Sequence, residues 1–199
     1  MPAPKTLLAL AGAPSEPPPL RESVVVVIDA QNEYVEGPLT LPGVRPAIER
    51  IAALLQRARK LGAPIIHVRH LGRPGSLFDP DASRGAIADP AKPAGGETVI
   101  GKKLPNSFAG TDLQKALEAT GRRNIVACGF MTHMCVSSTV RAALDLGYQT
   151  TVIADATATR ALPAPDGGAP ISADAVHRTA LAELADRFAA VVASAEIAA

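Results

Sequence analysis

A side chain that attacks a carbonyl needs a group to take its proton and a charge to hold it ready. Asp29, Lys102 and Cys135 are the residues of this chain that could supply the three parts. Cys135 sits in a tight turn between an apolar, partly β-branched run, Ile125 to Cys128, and a helical pattern in which Val136, Val140, Ala143 and Leu144 share one face. A thiol near the first turn of a helix meets the positive end of the helix dipole and unpaired backbone N–H groups. Both are expected to favour the thiolate. Asp29 closes the run Ser23-Val-Val-Val-Val-Ile and can act as the base. Lys102 can provide the positive charge and orient Asp29 through a charge-assisted hydrogen bond. Alone, each has a plainer reading: a core cysteine, a turn aspartate, a solvated lysine. Together they describe an activated thiol nucleophile.

Those residues need a scaffold that brings them to one edge. Five consecutive β-branched residues at 24–28 show no alternation, as in a strand buried on both faces of a parallel sheet. Val44 to Leu61 then reads as an amphipathic helix ended by Gly62, and Pro64 to Arg69 as a second strand, completing a βαβ unit. A helix over Leu113 to Ala119, capped by Thr111 or Asp112, leads into the strand before Cys135. Strand Gln149 to Asp155, a loop over Ala156 to Pro170, a helix started by Ser172 or Asp174, and a last strand near Ala189 to Ala193 follow. Alternating strands and helices predict a doubly wound α/β domain over residues 1–199, in which Asp29 and the Cys135 turn reach the same C-terminal sheet edge. Residues 71–97, rich in Gly, Pro, Asp and Ala, are expected to be one long irregular wall of the site.

Composition narrows the partners. Twenty basic against 19 acidic residues and 3% aromatics provide neither an electrostatic footprint nor stacking platforms for nucleic acid. No apolar run approaches the roughly 18 residues of a membrane helix. Lys5-Thr-Leu-Leu-Ala-Leu-Ala-Gly-Ala imitates a signal peptide, but its apolar core is short and Pro17 to Pro19 follow, so residues 1–20 are expected to form an extended arm packed on the domain. Two cysteines, Cys128 and Cys135, read as free thiols of a reducing, cytoplasmic compartment. His67 and His70 lack the Asp-x-His or His-x-His company of a metal site, and no metal is expected. Neither Gly-x-Gly-x-x-Gly after the first strand nor Cys-x-x-Cys occurs, against dinucleotide and redox readings.

Three ordered motifs carry a family resemblance: Val26-Val-Ile-Asp29-Ala-Gln-Asn32; Lys102-x-x-x-x-Ser-Phe108-x-Gly-Thr-x-Leu113; and Gly129-x-x-Thr-x-x-Cys135-Val-x-x-Thr139, then Ala143-x-x-x-Gly-Tyr148. Over nearly its whole length the chain resembles the isochorismatase-like cysteine hydrolases. That resemblance implies a six-stranded parallel Rossmann-like sheet and an Asp29, Lys102, Cys135 triad, with the spacing to Phe108 selecting Lys102 over Lys103. It also implies a cis peptide between Phe130 and Met131 and an oxyanion hole from the backbone N–H groups of Met131 and Cys135. The implied chemistry is cofactor-free hydrolysis of a small amide, ureide or carbamoyl compound through a Cys135 thioester. The nicotinamidase branch carries an Asp-x-His metal cluster that this sequence lacks. True isochorismatases cleave a vinyl ether without needing the cysteine, which makes an ether hydrolase the second enzyme reading. A non-catalytic binding domain on the same fold is the third. Tyr34, Gln31 and His133 are candidate substrate contacts, although Gln31 could instead stabilise its turn and His133 could face solvent. A homodimer or homotetramer is the implied assembly.

Overall fold

Runs of branched side chains without a polar face must be covered on both sides, and the sheet that results organises the molecule. The computed structural model describes residues 3–13 and 16–199. Six strands, β1 (Ser23–Ile28), β2 (Ile65–His70), β3 (Thr98–Lys102), β4 (Asn124–Phe130), β5 (Gln149–Ala158) and β6 (Ala190–Val192), form one parallel sheet in the order β3-β2-β1-β4-β5-β6. Helices α1 (Leu7–Leu10), α2 (Asn32–Val35), α3 (Val44–Lys60), α4 (Leu113–Ala119), α5 (Ser137–Asp145) and α6 (Ala173–Arg187) complete the chain.

Side chains of β1 alternate between two cores. Val25 and Val27 pack with Ile48, Ile51, Leu54 and Leu55 of α3, whereas Val24, Val26 and Ile28 pack with Leu113, Leu117, Val140 and Leu184 of α4, α5 and α6. The expected three-layer α/β/α arrangement is therefore present. The chain builds outward from β1 through β2 to β3, then returns to the far side of β1 with β4. Strand order reverses between β1 and β4, and a doubly wound sheet opens its crevice at the C-terminal ends of such strands.

Several local expectations change. Part of the N-terminal arm is helical rather than extended: Thr6 Oγ1 accepts the Ala9 N–H at 3.1 Å to cap α1, and Leu7 N–H donates to Asp186 Oδ1 on α6 at 2.9 Å. Residues 1, 2, 14 and 15 of that arm lie outside the described residues. Strand β5 runs three residues past Asp155, because a register shift between Ala127 and Gly129 lets Gly129 and Phe130 pair with Thr157 and Ala158. Asp155 then serves the scaffold, accepting the Ser194 N–H and hydroxyl at 2.7 Å each. The 71–97 segment contains 3-10 turns at Ser83–Gly85 and Asp89–Ala91. It is stitched to the chain after β1 by Asn32 N–H to Ala86 O (3.0 Å) and Ala88 N–H to Ala30 O (2.8 Å).

Candidate active site

Asp29 leaves β1 with φ of 50°, a left-handed conformation that a non-glycine residue adopts only where its surroundings hold it there. Its N–H donates to Val68 O on β2 at 2.8 Å, and its side chain is wholly buried at the sheet edge. Lys102 ends β3, two strands away, and stands beside His70 in the β2–β3 register. Its stem passes the end of β2 to put Nζ 2.7 Å from Asp29 Oδ2 and 3.3 Å from Cys135 Sγ. The ammonium has no contact with water: the side chain is 0% exposed. A buried cation requires such partners, since an unpaired one costs several kcal/mol. Lys103, the neighbouring candidate, is exposed.

Cys135 does not lie in α5. It sits in a π-helical turn, Thr132–Val136, inserted between β4 and that helix. Single-turn π segments recur at functional sites because the extra residue re-aims a side chain. The expectation of a thiolate favoured by the helix end is not met. Burial pushes the Cys135 thiol up to about 12; the negative charge of Asp29 adds to this, and Lys102 opposes it. Asp29 is also raised from its ordinary 3.8, by burial first and against the charge of Lys102. The Cys135 sulfur thus stands beside the Asp29–Lys102 ion pair, an arrangement suited to proton transfer in step with attack.

The peptide between Phe130 and Met131 is cis. Met131 O accepts the N–H groups of Met134 (3.0 Å) and Val136 (3.2 Å), so the backbone of the turn closes on itself. Two histidines brace it: Thr132 Oγ1 meets His177 Nδ1 on α6 at 2.9 Å, and His133 Nδ1 pairs with Thr159 Oγ1. His133 Nε2 is buried without a partner among the described residues, and burial lowers the imidazole pKa, aided by Arg160. His133 is half-buried rather than a surface residue of the turn.

Tyr34 packs edge-on against Phe78 and Phe130, with ring centroids 5.0 and 5.9 Å apart. Burial raises its hydroxyl pKa, and the charge of Asp29 raises it further, which puts Tyr34 within electrostatic reach of the cluster. Gln31, read as either a substrate contact or a stabiliser of its turn, is engaged by the scaffold. It is fully buried, its Nε2 donates to His70 O and Gly85 O at 2.9 Å each, and its Oε1 accepts the His70 N–H at 2.8 Å. Both amide hydrogens are used, so Gln31 ties the chain after β1 to β2 and to the 71–97 segment.

His67 and His70 have different settings. His67 Nε2 meets Glu97 Oε2 at 2.8 Å, and Glu97 also holds Arg59 at 2.7 Å, a bracket between α3 and the start of β3. His70 Nδ1 lies 3.4 Å from Lys102 Nζ. Sequence reading weighed His70 only as a metal ligand, because its pairing with Lys102 across two strands is a matter of register. A cleft of about 600 Å³ opens next to it, lined by Arg73, Phe78 and Lys103 among others. Another cleft, about 490 Å³, lies at the opposite sheet edge between the N-terminal arm and α6, away from these groups.

Comparison with known proteins places this arrangement in context. The isochorismatase domain model matches residues 23–196. A crystal structure of an isochorismatase from Pseudomonas putida KT2440 superposes with a TM-score of 0.93 at 44% identity, covering 98% of this chain and all of that one. The secreted isochorismatase effector Isc1 of Verticillium dahliae is 37% identical over 95% of this chain and 97% of its own length. A streptothricin hydrolase of Streptomyces noursei is 35% identical over 71% of this chain, which spans 52% of that protein.

Proposed function

Since this chain belongs to the isochorismatase family of hydrolases, we propose that it cleaves a carbon–nitrogen bond of a small amide, ureide or carbamoyl compound with Cys135 as nucleophile. The observation that carries the reading is the single buried ammonium of Lys102 touching both Asp29 Oδ2, at 2.7 Å, and Cys135 Sγ, at 3.3 Å. Amide-type hydrolysis is also in the names of relatives, streptothricin hydrolase and, at 29% identity over 72% of this chain, an Azorhizobium caulinodans ureidoacrylate amidohydrolase.

In the proposed mechanism Asp29 removes the Cys135 proton as sulfur forms its bond to the carbonyl carbon. Lys102 stabilises the negative charge that moves from carboxylate toward sulfur, so charge stays beside a fixed cation throughout. The carbonyl oxygen becomes an oxyanion held by the backbone N–H groups of Met131 and Cys135. Collapse breaks the carbon–nitrogen bond, and Asp29 returns the proton to the departing nitrogen. Water then gives a proton to Asp29 and its oxygen to the thioester carbon; the sulfur leaves and recovers that proton. Tyr34 and His133 are proposed to border the substrate. No cofactor has a step in this scheme.

An ether-cleaving reading is favoured by the names of the Pseudomonas putida and Verticillium dahliae relatives. Ammonia release from a panel of primary amides, ureido acids and carbamoyl compounds decides between them. Release from at least one class supports the amidase; turnover of isochorismate-type ethers with none of the amides overturns it. The proposal extends to a cytoplasmic homodimer or homotetramer acting on a small molecule. No helix among the described residues is long and apolar enough to cross a membrane.

A further inference from the structure

An ammonium group carries three N–H donors and no acceptor. Asp29 and Cys135 meet two of those of Lys102, and the third neighbour is His70 Nδ1, 3.4 Å from Nζ. Because Lys102 can only donate, Nδ1 must offer its lone pair, and the ring proton belongs on Nε2. Burial and the Lys102 charge hold this imidazole down to about 4, so it is neutral at physiological pH.

Backbone and ring of His70 are each held by neighbours. Its backbone N–H and C=O are both held by the Gln31 amide, at 2.8 and 2.9 Å. Its ring lies edge-on to Phe78 at 5.1 Å, and the Phe78 N–H in turn donates to the buried carboxylate of Glu33 at 3.0 Å. Phe78 itself holds a positive φ of 56°, a strained backbone position. Such investment in one ring is more than packing requires. Lys102 has the opposite problem: it comes from the outermost strand and must cross the end of β2 on a flexible four-carbon stem.

We propose that His70 is a positioning residue whose Nδ1 accepts from Lys102 and fixes the ammonium where it reaches Asp29 and Cys135 together. Gln31, Phe78 and Glu33 act through it by holding its backbone and ring. The proposal rests on the thiol-hydrolase reading for its effect on turnover, but its test needs no substrate. Facing the imidazole are Lys102, with Asp29 and Cys135 behind it, and Arg73 and Lys103 of the adjoining cleft.

The experiment follows alkylation of Cys135 by iodoacetamide over a pH series, resolved from buried Cys128 by peptide mass spectrometry. Variants are His70→Ala, His70→Asn, Lys102→Met and the His70→Ala, Lys102→Met double substitution. His70→Ala should slow alkylation at neutral pH about tenfold and move its onset to higher pH, since one hydrogen bond to a charged group is lost. In the Lys102→Met background the same substitution should add little, because its effect runs through the ammonium. His70→Asn, whose Oδ1 replaces Nδ1 as acceptor, should recover most of the parental rate. Parental alkylation in His70→Ala overturns the proposal, as does an equal effect of His70→Ala with and without Lys102. Failure of His70→Asn to recover, with an unchanged unfolding midpoint, overturns it too. A parent chain that hydrolyses no amide would sink the amidase reading while leaving this cycle intact, so the two fail separately.

Discussion

Gly129 of β4 pairs with Ile28 of β1 and leaves no room for a side chain. Its φ is 117°, and a Cβ built there would lie 1.9 Å from the carbonyl oxygen of Ile28. Both backbones are held in place, because the next residues are Asp29 on one side and the turn carrying Cys135 on the other. Gly129→Ala should therefore destabilise the protein by about 3 kcal/mol or more, measured by denaturant unfolding, through strain rather than lost burial. Asp29 yields a second expectation at this scale. Its carboxyl titrates above its ordinary 3.8, and the proposed base must be ionised. Activity should be lost as pH falls through that raised value, placing the acidic limb of kcat/KM above pH 3.8, and Asp29→Asn should remove the limb together with most of the rate. A limb at or below pH 3.8 would speak against Asp29. Asp29 and Cys135 stood out in the sequence because each follows a recognisable strand, whereas Lys102 was singled out only by its spacing to Phe108. The roles of Gln31 and His70 were not legible, since their partners are fixed by strand register and by a loop 54 residues away.

At the scale of elements, the bracket of Arg59, Glu97 and His67 joins α3 to the start of β3, the strand that delivers Lys102. Against burial, which would raise it, hydrogen bonds from Arg59, the Ala94 N–H and His67 hold the Glu97 carboxyl down to about 2. Its folded value is below its ordinary 4.5, so its contribution is present above that value and fades as pH falls toward about 2. Glu97→Gln should lower stability near neutrality by roughly 1–3 kcal/mol. The gap from the parent should close in that acid window, read from unfolding curves at several pH values. A gap independent of pH would mean that packing, not charge, is at work there. Most element boundaries could be read from β-branched runs, helical spacing and glycines such as Gly62 and Gly147, both at positive φ just past a helix. The π-turn at Cys135 and the extension of β5 could not: the first departs from ordinary helical spacing and the second rests on a register shift between Ala127 and Gly129, neither of which composition encodes.

For the whole molecule, the reversal of strand order between β1 and β4 explains why residues more than a hundred positions apart, Asp29 and Cys135, share one cluster. The alternation of strands and helices made this architecture readable before any coordinates, because a doubly wound sheet admits few arrangements. Assembly is less local. Leu77, Leu104 and Met134 are exposed apolar residues on segments that follow the C-terminal sheet edge, near the candidate site. A homo-oligomer that covers them accords with the proposed assembly, and light scattering should give a molar mass at least twice that of one chain. A monomer at micromolar concentration would contradict it.

The central claim is that the sulfur of Cys135 attacks the substrate. Turnover by Cys135→Ala, assayed on whichever amide, ureide or carbamoyl compound the parent hydrolyses, tests it most directly. A nucleophile whose removal leaves no covalent route should lower kcat by roughly 10⁴-fold or more, with the substitution leaving the unfolding midpoint close to parental. Retention of parental turnover in Cys135→Ala would contradict the thioester route and leave water as the attacking group.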